Sequence, residues 1–197
     1  MQNLAVAILA GGRSSRMGQN KALLPLGSKT IIEHLITNFK QLTSELFIVA
    51  NTSEYDFLKL PVYKDRFPGQ GPLAGIETAL REAKASRVFI TACDVPLLPV
   101  EIVEFLTPFA EDYDVVVLAF RGKIEPLVGI YQKGIYPIVE NYLRLEKNKI
   151  IDFYPLVKVK VINFEELPSH IQKEEYLLNV NTPQEYEKLL KILSLKE

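Results

Sequence analysis

Leu4-Ala-Val-Ala-Ile-Leu-Ala-Gly-Gly-Arg-Ser-Ser-Arg-Met-Gly-Gln-Asn-Lys21 runs from six apolar residues directly into a glycine-rich, basic loop. Leu4–Leu9 has the length and composition of a buried strand. With no basic stretch before it and Ala10-Gly11-Gly12-Arg13 immediately after, it reads as a first strand and not as a signal peptide. In an α/β sheet the loop after such a strand lies at the carboxyl edge, where ligands bind. Gly11 and Gly12 let the backbone come close to a phosphate chain and point N–H groups at it, while Arg13, Arg16 and Lys21 supply positive charge. A plain glycine turn with solvated basic residues would leave those three cations without a purpose. Neither G-x-x-x-x-G-K-[ST] nor a G-x-G-x-x-G after the first strand is present. Gly69-Gln-Gly71-Pro-Leu-Ala-Gly75 is one residue too long for the dinucleotide pattern and lies far from the first strand.

Working outward, short runs rich in Val, Ile and Phe alternate with helical patterns. Ile31, Ile32, Leu35, Ile36 and Phe39 recur at helical spacing, Leu46–Val49 reads as a strand, and Leu73–Ala83 as a helix. Arg87–Thr91 is a strand and Glu101–Leu106 a helix. Val115–Leu118 and Pro126–Tyr131 follow as two strands, with Gly122 in a turn between them and a hairpin as the expected pairing. Lys133–Leu145 reads as a helix and Val157–Ile162 as a late strand. Thr182-Pro183-Gln184-Glu185 opens a terminal amphipathic helix with Thr as N-cap, Pro at the first position and Glu closing a capping box. The alternation predicts a three-layer, Rossmann-like α/β fold, its sheet mostly parallel with helices on both faces. No repeat, low-complexity tract or Gly/Ser linker divides the chain, so one domain over 1–197 is expected. Within it the rhythm loosens near Asp112–Arg121. A nucleotide-binding part of about 1–112 would there give way to an acceptor-binding part of about 113–197.

At 197 residues the chain can bury roughly 70% of its unfolded surface. A net charge of −1 leaves no basic surplus to hold a nucleic acid backbone, so an anionic ligand must be met by locally placed cations and N–H groups. Cys93 is the only cysteine and His34 and His170 are the only histidines, which excludes an internal disulfide and a Cys/His zinc constellation. A reducing cytoplasm is the natural setting. No apolar run approaches the ~20 residues of a membrane-spanning helix.

Three further stretches carry chemistry. Asp94, in Ala92-Cys93-Asp94-Val95-Pro96, follows the strand Arg87–Thr91, and a carboxylate at such a strand end can hold Mg²⁺ over the cleft together with phosphate oxygens. The alternative, an N-cap, would need a helix starting closer than Glu101. Cys93 reads as a small buried residue. Phe67-Pro-Gly-Gln-Gly-Pro-Leu-Ala-Gly75 is a rigid turn before a helix, able to wall a flat base. Asp65 just upstream could accept the N1 and N2 hydrogens of a guanine, and Asn51 could reach base or ribose; both types are equally at home as local caps. In Leu178-Asn-Val-Asn-Thr-Pro183, alternation along a short strand would put Asn179 and Asn181 on one side, facing acceptor or metal, or satisfying backbone groups at the helix cap.

Taken together, Leu9-Ala-Gly-Gly-x-x-x-Arg-Met-Gly-x-x-Lys21, Gly71-Pro-Leu-Ala-Gly75, Cys93-Asp-x-Pro96 and Asn179-Val-Asn-Thr-Pro183 resemble the molybdenum cofactor guanylyltransferases, in order and over nearly the whole chain. The first motif is shared by many nucleotidyltransferases; the combination is narrower. The resemblance implies a fold of nucleotide-diphospho-sugar transferase type. It also implies Mg²⁺-dependent transfer of GMP from GTP to the phosphate of molybdenum-molybdopterin, with pyrophosphate released. By carry-over, Leu9, Ala10, Gly11, Lys21, Asn51, Asp65 and Asp94 match GTP-binding positions, with Gly12 and Gly71 beside them, and Asp94 is the magnesium ligand. Arg16, Lys21 and Asp94 are then the candidate catalytic residues, and Asn179 and Asn181 resemble residues of the acceptor side. The acceptor would lie around Lys123-Ile-Glu-Pro-Leu127, where the match is looser. A molybdopterin cytidylyltransferase, a sugar-phosphate nucleotidylyltransferase and a nucleotide-binding regulatory protein are the alternatives. A labile product makes molybdenum-insertion proteins and molybdoenzyme chaperones the expected handover partners, though no surface motif marks them.

Overall fold

Leu4–Leu9 forms strand β1, buried along its whole length because it lies between two parallel neighbours and under helices on both faces. The computed structural model describes residues 3–11 and 19–194. Its main sheet has seven strands: β1, β4 (Leu46–Val49), β5 (Val62–Tyr63), β6 (Arg87–Ala92), β7 (Val115–Phe120), β8 (Lys123–Gln132) and β9 (Val159–Asn163), in the order β5-β4-β1-β6-β8-β7-β9. Every pairing is parallel except the two made by β8, which runs antiparallel to both β6 and β7. A two-stranded hairpin, β2 (Pro25–Leu26) with β3 (Lys29–Thr30), stands apart from it.

One apolar layer packs α1 (Ile31–Phe39), α3 (Val100–Leu106) and α5 (Pro183–Ser194) against the sheet; the other packs α2 (Pro72–Glu82) and α4 (Tyr136–Arg144). Alternation along β1 splits its side chains between them, with Leu4, Val6 and Ile8 in the first and Ala5, Ala7 and Leu9 in the second. Each fully buried Leu, Ile or Phe adds roughly 1.5–3 kcal/mol. Helix α1 begins where the sequence says it must: Thr30 accepts from the Glu33 N–H, and Glu33 accepts from the Thr30 N–H at 2.8 Å.

The expected hairpin is β7 and β8, longer than the apolar runs alone suggest. Phe120 pairs with Lys123 across a two-residue turn, Arg121 (φ 50°) and Gly122 (φ 74°), the left-handed geometry that matches strand twist. The expected helix Lys133–Leu145 opens as a 3-10 turn, Lys133–Ile135, before α4. Pro137 is tolerated only in a first helical turn. The expected late strand from Val157 starts two residues later, after a 3-10 stretch over Ile150–Leu156 that contains Pro155. The expected strand around Asn179 is irregular chain between a 3-10 turn, Glu174–Leu177, and α5. Among the described residues no helix is long and apolar enough to cross a membrane.

Candidate active site

Strand order reverses at β1, with β4 to one side and β6 to the other, which opens a crevice at their carboxyl ends. A cavity of about 1070 Å³ lies there. Leu9, Ala10 and Gly11 line it from the end of β1, Asn51 from beyond β4, Asp65 from beyond β5 and Asp94 from beyond β6. Gly71 and Pro72, at the start of α2, and Leu127 of β8 complete the wall.

At one end of the cavity three side chains remote in sequence meet. The Lys21 ammonium donates to Asp94 Oδ2 at 3.0 Å and to Asn181 Oδ1 at 2.8 Å, across 73 and 160 residues of chain. Each is held by its own local structure. Lys21 opens a 3-10 turn, Lys21–Leu23, whose N-cap Asn20 accepts from the Ala22 N–H at 3.1 Å. Asn20 Nδ2 donates to the Tyr55 hydroxyl at 2.9 Å, which leaves the hydroxyl hydrogen for the Ala10 carbonyl at 3.1 Å. Tyr55 is fully buried, and burial pushes its pKa up to about 12, so it remains a donor. Asp94 follows β6 directly, and its carbonyl accepts from the Val180 N–H at 2.7 Å. Asn181 is fixed from the far side by Glu185, whose Oε2 accepts the N–H groups of Asn181 (2.8 Å) and Thr182 (2.9 Å) as the cap of α5.

The charge pattern at this end is anionic as well as cationic. Glu125 of β8 is half-buried, and its carboxyl is pushed up by burial and then by the charge of Asp94. Cys93 is buried and held at about 12 by desolvation, so the thiol stays protonated and is no nucleophile. The N-cap of α3 is Pro99, so Asp94 caps no helix. Among the described residues no group of three or more His, Cys, Asp or Glu side chains could enclose a metal ion.

The other end is built differently. Asn51 Nδ2 donates to Asp65 Oδ2 at 2.9 Å and Asn51 Oδ1 accepts from the Asp65 N–H at 2.9 Å, a reciprocal pair joining the ends of β4 and β5. Asp65 Oδ1 and Gln70 Oε1 are buried without a hydrogen-bond partner. Burial raises the Asp65 pKa, opposed by the Asn51 bond and the charge of Arg81. Gly71 caps α2 at φ 67°, ψ −159°, a conformation costly for any residue with a Cβ.

Of the residues singled out in the sequence, Leu9, Ala10, Gly11, Lys21, Asn51, Asp65, Gly71 and Asp94 therefore line one cavity, and Asn181 joins them through Lys21. Asn179 stands in irregular chain and not in the strand expected to align it with Asn181. Gly12, Arg13 and Arg16 lie outside the described residues. Tyr55, Asn20 and Glu185 carry no motif that marks them as site-building residues in the sequence. Glu185 was legible as a cap, but not its reach to Asn181.

The model of the MobA-like NTP transferase domain matches residues 6–155, which hold most of this sheet together with Lys21, Asn51, Asp65 and Asp94, while Asn181 lies beyond the match. The chain belongs to this family. Within the family it is 73% identical, over all 197 residues of both chains, to the "Probable molybdenum cofactor guanylyltransferase" of Carboxydothermus hydrogenoformans. It is 40% identical over 177 residues to the protein of the same name from Pelotomaculum thermopropionicum, covering 89% of this chain and 86% of that one. The crystal structure of molybdopterin-guanine dinucleotide biosynthesis protein A from Archaeoglobus fulgidus superposes with a TM-score of 0.84 over 96% of this chain and 98% of that one; at 23% identity it supports the fold.

Proposed function

We propose that this NTP transferase moves GMP from GTP to the phosphate of molybdenum-molybdopterin, forming the guanine dinucleotide cofactor and pyrophosphate. The observation that carries nucleotidyl transfer is the meeting of Lys21, Asp94 and Asn181 at the carboxyl edge of the sheet. The choice of acceptor rests on the 73% identity to a relative bearing that name. The part up to about residue 112 serves the nucleotide and the part from about 113 the acceptor.

The Asp94 carboxylate, 22% exposed, and the Asn181 amide oxygen are hard oxygen donors of the kind Mg²⁺ takes alongside phosphate oxygens and water. Bound there, Mg²⁺ would supply positive charge at the α-phosphate and the leaving pyrophosphate. Lys21 brings its ammonium to the same phosphates. An oxygen of the acceptor phosphate bonds to the α-phosphorus while the bond from that phosphorus to the bridging oxygen of pyrophosphate breaks. The attacking group is already an anion and needs no strong base, so the chain's work is alignment and charge neutralisation. At the far end the unpaired Asp65 Oδ1 suits the N–H edge of guanine. Cytosine offers no comparable pair of adjacent donors.

Pyrophosphate release tests this, measured with Mg²⁺ and molybdenum-molybdopterin for GTP, CTP, ATP and UTP, with the acceptor omitted as control. GTP-selective, acceptor-dependent release is expected. Preference for CTP would keep the chemistry and change the base, and release with a sugar 1-phosphate alone would overturn the acceptor.

A further inference from the structure

Glu77 is the one fully buried acidic side chain among the described residues, set in the middle of α2. An ionised carboxylate in such a place is costly unless it is paired. Arg66 Nη2 donates to its Oε1 at 2.7 Å, and Arg81 Nη1 lies 3.6 Å from its Oε2. Arg66 is tied down further: it donates to the Tyr136 hydroxyl at 3.0 Å, forms an ion pair with Glu140 of α4, and lies 5.0 Å from the centroid of the Phe67 ring. Glu77 itself has no exposure, so its charge depends on the two guanidiniums that reach in to it. Here the fixed group is Arg66, and the residue before it in the chain is Asp65.

Asp65 is thus restrained twice. Asn51 holds its Oδ2 and its N–H, while the next residue, Arg66, is anchored by ion pairs to Glu77 of α2 and Glu140 of α4. The oxygen left over, Asp65 Oδ1, is buried with no partner. A hydrogen-bond acceptor can select a base only if it stays where the donor arrives, because a small displacement lets water or another base satisfy it. We propose that Glu77 is a positioning residue for base selection, acting through Arg66 to hold Asp65 in place for the exocyclic amine of guanine. This rests on the reading of Asp65 as the base-selecting residue.

The experiment compares Kd for GTP and for inosine triphosphate, which lacks that amine, in the full-length enzyme with Mg²⁺, alongside kcat. Glu77→Gln keeps the shape of the side chain and removes its charge. It should shrink the GTP-over-inosine preference on the order of tenfold, as expected for loosening a hydrogen bond to a charged acceptor, with a smaller change in kcat. Arg66→Gln, at a side chain 40% exposed and easier on folding, should act the same way. In an Asp65→Asn background neither change should alter the preference further, a full non-additivity between the sites that a merely structural role would not produce. Folded variants with lowered Tm and unchanged preference would overturn this inference alone. A wild-type enzyme that does not distinguish the two nucleotides would overturn the reading of Asp65 and this inference with it.

Discussion

The two ends of the cavity differ in how they meet their own polar groups. At the Lys21 end, an ammonium, a carboxylate and an amide from three distant segments already satisfy one another at 2.8–3.0 Å. At the Asp65 end, the buried Asp65 Oδ1 is left without a partner although Asn51 holds the other oxygen of the same carboxylate. A pre-assembled charged cluster suits a place where charge moves during reaction and must be met without reorganisation. Unmet buried acceptors suit a place where one ligand shape is to be favoured, since the wrong ligand leaves them unmet. One end should therefore govern rate and the other selection.

The largest effect expected from breaking that division is at Asp94. Asp94→Ala should lower kcat by about 10²–10³-fold, with Tm little changed, because the side chain is partly exposed and Lys21 keeps its bond to Asn181. Full activity at ordinary Mg²⁺ concentration would break the comparison at its strongest point. Next comes Asp65→Asn, which should weaken GTP binding by roughly 10–100-fold, as loss of a hydrogen bond to a charged group does. Here kcat at saturation should persist, and equal use of GTP and inosine triphosphate is the sharper readout.

Acidification probes the same end. Burial raises the Asp65 pKa, so protonation, which replaces an acceptor by a donor, sets in at higher pH than for a solvent-exposed aspartate. GTP preference should fall with decreasing pH before the enzyme unfolds, and the Asp65→Asn variant should lack that dependence; the paired titrations of Kd decide it. Smallest of all is Tyr55→Phe. It removes the hydroxyl between Asn20 and the Ala10 carbonyl and should cost about 1–2 kcal/mol of stability, read as a lowered Tm, with only a modest loss of kcat.

The unequal legibility of the two ends in the sequence has the same origin. Lys21 and Asp94 announce themselves, since each follows a strand whose apolar run is plain, and strand ends define the ligand edge of such a sheet. Their pairing could not be read from residues 73 apart, nor could the arrival of Asn181, 160 positions from Lys21 and held by the Glu185 cap. The parallel core was visible as buried apolar runs. The insertion of β8 as the one antiparallel strand was not, because a hairpin's apolar pattern does not say which neighbour its second strand will take. The segment through Asn179 is irregular for a related reason: alternation of apolar and polar residues over so short a stretch fits a strand and equally a segment pinned by the Asp94 carbonyl at Val180. Asp65 and Asn51 were ambiguous with ordinary caps until the fold showed them bonded to each other and Oδ1 left over.

The most direct test is a steady-state measurement of kcat and KM for GTP in Asp94→Asn and Asp65→Asn side by side, under saturating acceptor and Mg²⁺. Asp94→Asn is expected to lose kcat with KM for GTP changed by less than about tenfold, and Asp65→Asn to raise KM while keeping most of kcat. If instead Asp65→Asn lost turnover at saturating GTP, or Asp94→Asn lost only affinity, the division of the cavity into a reacting end and a selecting end would be wrong.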